Sequence, residues 1–237
     1  MRLEIDRLSC RRSGRLLVEH LTLTVAGGEA LVVRGRNGAG KSTLLATLAG
    51  RLKPAGGTIR LIGDRSSTER REGEEDAPLA ERAVLVGHRD GLKTALTATE
   101  NLVFAAAMLG VPATPQQAVA ALDDLGLVHV SDIPVGYLSA GQRRRVALAR
   151  LILVDRPVWL LDEPTAALDA TAQEDLAHLM QRQLARGGLI VAATHLPLGL
   201  DGARVLTLGG KSDGHDNSSG DSPSDGPGDL DAWEFSR

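Results

Sequence analysis

The sequence predicts one α/β unit, on three observations. At 237 residues and 43% hydrophobic content, the chain can enclose a substantial core but is short for two full domains. Three short apolar runs, residues 29–34 (EALVVR), 158–161 (VWLL) and 189–194 (LIVAAT), have the composition of strands buried on both faces. Stretches of helical composition separate these runs, and the first run enters a helix through a glycine-rich loop. Only five residues are aromatic, so the interior falls to Leu, Val, Ile and Ala.

Along the chain, residues 3–8 and 16–25 alternate apolar with other residues and read as strands at a sheet edge. Residues 41–49 follow the buried run 29–34 with helical composition and stop at Gly50. A strand at 58–62 comes after the turn at 54–57. Residues 64–82 are charged and almost free of large apolar side chains, which predicts an exposed, mobile loop. Thr97 with Glu100 forms a capping-box pair and opens a helical insert at about 92–155, with helices near 98–109, 115–125 and 139–154. Residues 170–186 read as an amphipathic helix. The Gly, Ser, Asp and Pro content of 211–237 predicts a disordered acidic tail behind a folded unit at 1–210.

Charge and cysteine content narrow the function classes. Residues 1–210 carry 25 Lys and Arg against 23 Asp and Glu, whereas 211–237 carry 2 against 7, so the net charge of −3 comes from the tail. There is no basic stripe of the kind that binds nucleic acid, and no sustained heptad pattern. No apolar run approaches ~18–20 residues, the length needed to cross a bilayer as a helix. The amino end lacks a basic-then-apolar signal layout. The one cysteine, Cys10, cannot form an internal disulfide, in keeping with a reducing compartment. Four lysines stand against 23 arginines, which makes each lysine position informative.

Gly35-Arg36-Asn37-Gly38-Ala39-Gly40-Lys41-Ser42-Thr43 fits G-x-x-x-x-G-K-[ST] between a predicted strand and a predicted helix. The glycines let successive N–H groups turn inward around phosphate oxygens, and the helix start adds partial positive charge. Lys41 is placed to reach the β- and γ-phosphates of a nucleoside triphosphate, and the Ser42 hydroxyl to hold Mg²⁺. The apolar run 158–161 ends in Asp162 and Glu163. Asp162 suits Mg²⁺, usually through water, and Glu163 suits a general base for an attacking water.

Leu138-Ser139-Ala140-Gly141-Gln142, at the start of a helix, resembles the LSGGQ signature of the ATP-binding cassette (ABC) ATPases, with Ala140 for the first glycine. The resemblance spans residues 1–210 and takes in Ala167-Leu168-Asp169 as the D-loop and His195 as the switch histidine. It implies a P-loop NTPase cassette with a RecA-like core, an antiparallel β edge subdomain and a helical signature subdomain. It also implies ATP with Mg²⁺, and a second cassette chain docked head to tail. In such a dimer Ser139, Ala140, Gly141 and Gln142 would face the γ-phosphate held by the partner, with Asp169 at the seam. His195 would contact the γ-phosphate and orient Glu163.

Two stations depart from the general pattern. Arg12 stands where an aromatic usually stacks on adenine, and His88 where a glutamine usually ends the strand leading to the helical insert. The passage G-H-R-D-G-L-K-T-A-L-T-A-T-E-N-L, residues 87–102, resembles the haem exporter ATPases of cytochrome c biogenesis, in which GH, G-x-K and LTA-x-ENL recur. His88 is then a subfamily trait, and Lys93 falls on the G-x-K station. Asp132-Ile133-Pro134-Val135 and Thr194-His195-Leu196-Pro197-Leu198 agree with the same subfamily. That resemblance implies integral-membrane permease subunits of a haem-handling complex as partners. It implies a peripheral position on the cytoplasmic face of the bacterial inner membrane, and no direct haem contact by this chain. The alternative is the ATPase subunit of another ABC exporter, for a drug or a lipid.

Overall fold

The structure, a computed structural model, describes residues 1–63, 78–209 and 235–236. Two sheets form. A three-stranded antiparallel sheet has the order β2-β1-β4, from β1 (Arg2–Arg12), β2 (Arg15–Ala26) and β4 (Gly56–Ile62). A six-stranded sheet has the order β5-β6-β7-β3-β8-β9. Its strands are β3 (Ala30–Gly35), β5 (Ala83–Val86), β6 (Val158–Asp162), β7 (Leu189–Ala193), β8 (Arg204–Leu208) and β9 (Phe235–Ser236). Strands β5, β6, β7, β3 and β8 run parallel. All residues of β6 and β7 are buried, the pattern of strands covered on both faces.

Side-chain alternation along the parallel strands divides the core into two layers. Val32, Trp159, Leu161, Ile190 and Ala192 face the helices α3 (Ala98–Met108), α4 (Pro115–Asp123), α5 (Ala140–Val154) and α6 (Ala170–Ala185). Leu31, Val33, Leu160 and Val191 face α1 (Lys41–Leu48) and the antiparallel sheet, where Leu3, Leu8, Leu21 and Val25 are inaccessible. Helix α1 therefore sits between two sheets. Burial of each such aliphatic side chain contributes roughly 1.5–3 kcal/mol.

The helical insert carries its own start signals. Thr97, Thr114 and Ser139 each accept a hydrogen bond from the backbone N–H of the third helical residue, and that residue's side-chain oxygen in turn accepts one from the cap N–H. Thr97 with Glu100 is the pair expected from the sequence.

Four expectations change. The strands at 3–8 and 16–25 extend to 2–12 and 15–26, and with β1 at the centre they form a separate antiparallel sheet, the subdomain that the cassette resemblance implies. The proposed loop 64–82 ends in a short helix, α2 (Leu79–Arg82), with Leu79 buried as the lone large apolar anchor of that run; residues 64–77 lie outside the described residues. Strand β8 has no counterpart in the sequence reading, although Arg204-Val205-Leu206-Thr207-Leu208 alternates before Gly209. The tail expected to be disordered contributes β9, which pairs antiparallel with the otherwise open edge of β8. The rest of 211–237 lies outside the described residues. Among the described residues, no helix is long and apolar enough to cross a membrane.

Candidate active site

The C-terminal ends of β3, β5, β6 and β7 lie side by side, the edge at which open parallel sheets place their ligands. Strand β3 ends at Gly35, whose φ of 144° and the Leu208 carbonyl 2.5 Å from a would-be Cβ leave room for glycine alone. The chain then loops through Arg36, Asn37, Gly38 and Ala39 to Gly40 and enters α1 at Lys41. No side chain caps α1, so its first N–H groups remain available to an anion.

A cleft of about 480 Å³ opens above this edge. Asn37, Gly38, Gly40, Lys41, Ser42 and Thr43 line one wall, and His88, Asp162 and Glu163 line the other. Arg12 closes a third side. The two-residue turn Ser13-Gly14, with φ of 49° and 80°, is the tight hairpin that puts Arg12 at the tip of the β1–β2 ribbon beside the loop. Residues separated by 151 positions in sequence, Arg12 and Glu163, thus line one space.

Lys41 is 8% exposed, and its ammonium donates to the carbonyls of Gly35 at 2.7 Å and Arg36 at 3.3 Å. His195 Nε2 lies 3.1 Å from Lys41 Nζ, a distance at which the ring nitrogen accepts from the ammonium. The same nitrogen is 3.9 Å from Glu163 Oε1. Thr194 Oγ1 accepts from Leu196 N at 3.0 Å and fixes the turn that carries His195. Glu163 has φ of 46°, a left-handed conformation that costs an ordinary residue roughly 1–2 kcal/mol. Its N–H donates to Ala193 O at 2.8 Å, so the strain is held by the end of β7. Ser42 and Asp162 offer hard oxygen ligands on facing walls, the donor type Mg²⁺ takes.

The signature residues lie outside this cleft. Ser139 and Ala140 are exposed, Ser139 Oγ accepts from Gln142 N at 3.2 Å, and the Gln142 side chain accepts from Ser139 N at 2.9 Å. Gly141 sits where a Cβ would stand 2.9 Å from Ala167 O, so signature and D-loop are in backbone contact within one chain. Asp169 is exposed and caps α6 by accepting from Ala172 N at 2.9 Å, a role the sequence reading did not assign.

A profile of the ABC transporter family matches residues 18–166. The chain belongs to the ABC transporter family. As an ABC cassette it is an ATPase. Among curated proteins it is 50% identical over 202 residues to the cytochrome c biogenesis ATP-binding export protein CcmA of Rhodopseudomonas palustris (strain BisB5), covering 85% of this chain and 95% of that one. It is 48% identical over 210 residues to the protein of the same name from Bradyrhizobium diazoefficiens, covering 89% and 99%. Among solved structures, the dimeric structure of a post-hydrolysis state of the ATP-binding cassette MJ0796 bound to ADP and Pi superposes with a TM-score of 0.72. It is 24% identical, over 87% of this chain and 94% of that one, and shares the cassette fold.

The passage 87–102 has a physical explanation in this cassette. Asn101, 3% exposed, accepts from Lys93 N at 2.7 Å and donates to the carbonyls of Lys93, Leu96 and Thr97. One buried amide therefore holds the loop that follows His88 and presents Lys93, whose ammonium lies 4.9 Å from the Phe104 ring centroid. Replacing Asn101 with Ala leaves the buried loop N–H of Lys93 without its acceptor, while the carbonyls of Lys93, Leu96 and Thr97 keep the backbone donors of Leu96, Val135 and residue 101. The expected loss is about 2 kcal/mol, seen as a drop of roughly 4–8 °C in Tm by thermal unfolding.

Sequence reasoning missed two polar anchors. Asn101 lay within the quoted motif but was given no task. Arg144, the middle of three consecutive arginines in the sequence, was likewise given no task, yet it is 3% exposed. The signal was present: residues 144, 147, 148 and 151 form one helical stripe, and the other three are buried Ala or Leu.

Proposed function

We propose that this chain is the ATP-hydrolysing subunit of a membrane export complex for cytochrome c biogenesis, acting in haem handling. The observation that carries the reading is the 50% identity to a cytochrome c biogenesis ATP-binding export protein along 95% of that protein's length. The held loop of residues 87–102 supports it, because the motif that distinguishes this group has a defined structural task here.

In this reading ATP enters with its phosphates against the loop 35–43 and its base beside Arg12, whose planar guanidinium can stack on a purine. Lys41 exchanges its carbonyl and imidazole contacts for β- and γ-phosphate oxygens. Ser42 and Asp162 would hold Mg²⁺, which supplies charge neutralisation at the phosphates. Glu163 accepts a proton from water as that water's oxygen bonds to the γ-phosphorus. The bond between that phosphorus and the β-phosphate oxygen breaks, giving ADP and phosphate. His195 keeps Glu163 and the γ-phosphate in register, and His88 faces the water from the same wall as Glu163.

The cleft is open on the side away from the sheet. A second copy docked head to tail would bring Ser139, Gly141 and the start of α5 over the γ-phosphate, adding a second helix N-terminus to an anion held from below. The dimer reported for the ADP- and Pi-bound cassette supports this arrangement. The membrane-spanning part then belongs to partner subunits, with this chain peripheral on the cytoplasmic face.

The reading is tested by capturing the tagged chain from detergent-extracted native membranes. Haem-handling membrane subunits are expected in the eluate, and loss of the chain is expected to remove mature c-type cytochromes. Capture of an unrelated permease, with c-type cytochromes intact, assigns the chain to another exporter.

A further inference from the structure

Arg144 projects from the second turn of α5 into the seam between β5 and β6. Its side chain is 3% exposed. Nε donates to Pro164 O at 3.2 Å. Nη1 donates to Gly87 O at 2.8 Å and to Asp90 Oδ1 at 3.1 Å, and Nη2 to Asp162 O at 2.9 Å and Glu163 O at 2.7 Å. A guanidinium has five N–H donors in a fixed plane, and here each finds an acceptor. Four of the five are main-chain carbonyls, and three of those belong to the consecutive residues 162–164.

These carbonyls are tied to the catalytic groups. Gly87 precedes His88. Asp162 and Glu163 carry the carboxylates of the cleft, and Glu163 is held at φ 46°, a backbone state disfavoured for any residue but glycine. Arg143 and Arg145, on either side, instead donate to the carbonyls of Leu138 and Leu125 within the helical insert. Only Arg144 of the three joins α5 to the core strands. Arg150, six residues further along the same helix, donates to Asp90 O at 2.9 Å and buttresses the same loop. Burial, with Arg51 and Arg144 nearby, pushes the Arg150 guanidinium below its ordinary range.

We propose that Arg144 is a positioning residue that sets the backbone of Glu163 and the His88 loop from the signature helix. Ser139, the N-cap of the same helix, lies five residues away, about one and a half turns. A shift of the α5 start is delivered by the guanidinium to Gly87, Asp162 and Glu163 together. The partners of Arg144 among the described residues are Gly87, Asp90, Asp162, Glu163 and Pro164, none of them in the nucleotide loop 35–43, so the effect falls on turnover and not on nucleotide capture. The proposal rests on the reading of Glu163 as general base.

The test uses the full chain captured with its membrane partners, with kcat and KM for ATP and fluorescent-nucleotide binding measured for Arg144→Lys, Asp90→Ala and Glu163→Gln. Lysine keeps the charge but lacks the five-donor plane. Arg144→Lys is expected to lower kcat by about 10–100-fold, with KM and nucleotide binding within about threefold. Asp90→Ala is expected to lower kcat about threefold, and to add nothing in the Arg144→Lys background. Normal kcat in Arg144→Lys beside an inactive Glu163→Gln overturns the proposal and leaves the base reading standing. Normal kcat in Glu163→Gln overturns both. If Arg144→Lys yields no folded complex, unchanged kcat in Asp90→Ala overturns it. Equal losses in kcat and nucleotide binding assign Arg144 to the fold alone and overturn it as well.

Discussion

Replacing Glu163 with Gln is expected to lower ATP turnover by roughly 10²–10⁴-fold, the usual contribution of a positioned general base. Glutamine keeps the shape and a hydrogen-bonding oxygen but cannot take the proton from water. Glu163 is only partly exposed, lines the cleft opposite Lys41 and lies 3.9 Å from His195 Nε2, so its replacement leaves the phosphate loop in place. ATP should therefore still bind, and a chain that binds ATP without cleaving it should accumulate as an ATP-dependent dimer. Light scattering reads this as a doubled mass on ATP addition, absent with ADP. An ATP-independent monomer would remove the head-to-tail arrangement, and normal turnover would remove the base assignment.

Lys41→Ala is expected to act earlier, on capture of the nucleotide. Lys41 supplies a buried cation held by two loop carbonyls and one imidazole. Loss of charge-assisted hydrogen bonds to phosphate costs about 1.5–3 kcal/mol, or roughly a ten- to hundredfold weaker ATP affinity. Hydrolysis should fall below detection, because the cation that stabilises charge developing on the γ-phosphoryl group is gone. Fluorescent-nucleotide titration and phosphate release give the two readouts. The variants thus separate: Glu163→Gln binds without turning over, whereas Lys41→Ala binds weakly and does not turn over.

The legible parts of this molecule were those with local or periodic signals. The glycine loop, the Thr97 capping box and the buried runs of β3, β6 and β7 are written in contiguous residues, and each folds as its pattern implies. The placement of Arg12 was legible only through resemblance, since the Ser13-Gly14 turn marks a hairpin but not the cleft that its tip reaches. Strand β8 was missed because five residues of mixed burial before a glycine carry little signal of their own. The separate antiparallel sheet could not be inferred from alternation alone, because period two gives the buried face and not the partner strand. Arg144 and Asn101 were missed for a related reason: their value lies in carbonyls of distant segments, and carbonyls have no sequence identity.

The cap of α5 has a chemical consequence for the choice of serine at 139. Its oxygen already accepts the Gln142 N–H at home. Its hydroxyl proton makes no hydrogen bond among the described residues and can still be given to an incoming anion. Aspartate would cap α5 as well but would repel a phosphate. Alanine would leave the helix start uncapped and donate nothing. A hydroxyl holds its helix with a lone pair while keeping a proton for an incoming phosphate, and it does so with a smaller group than the asparagine amide that could do the same.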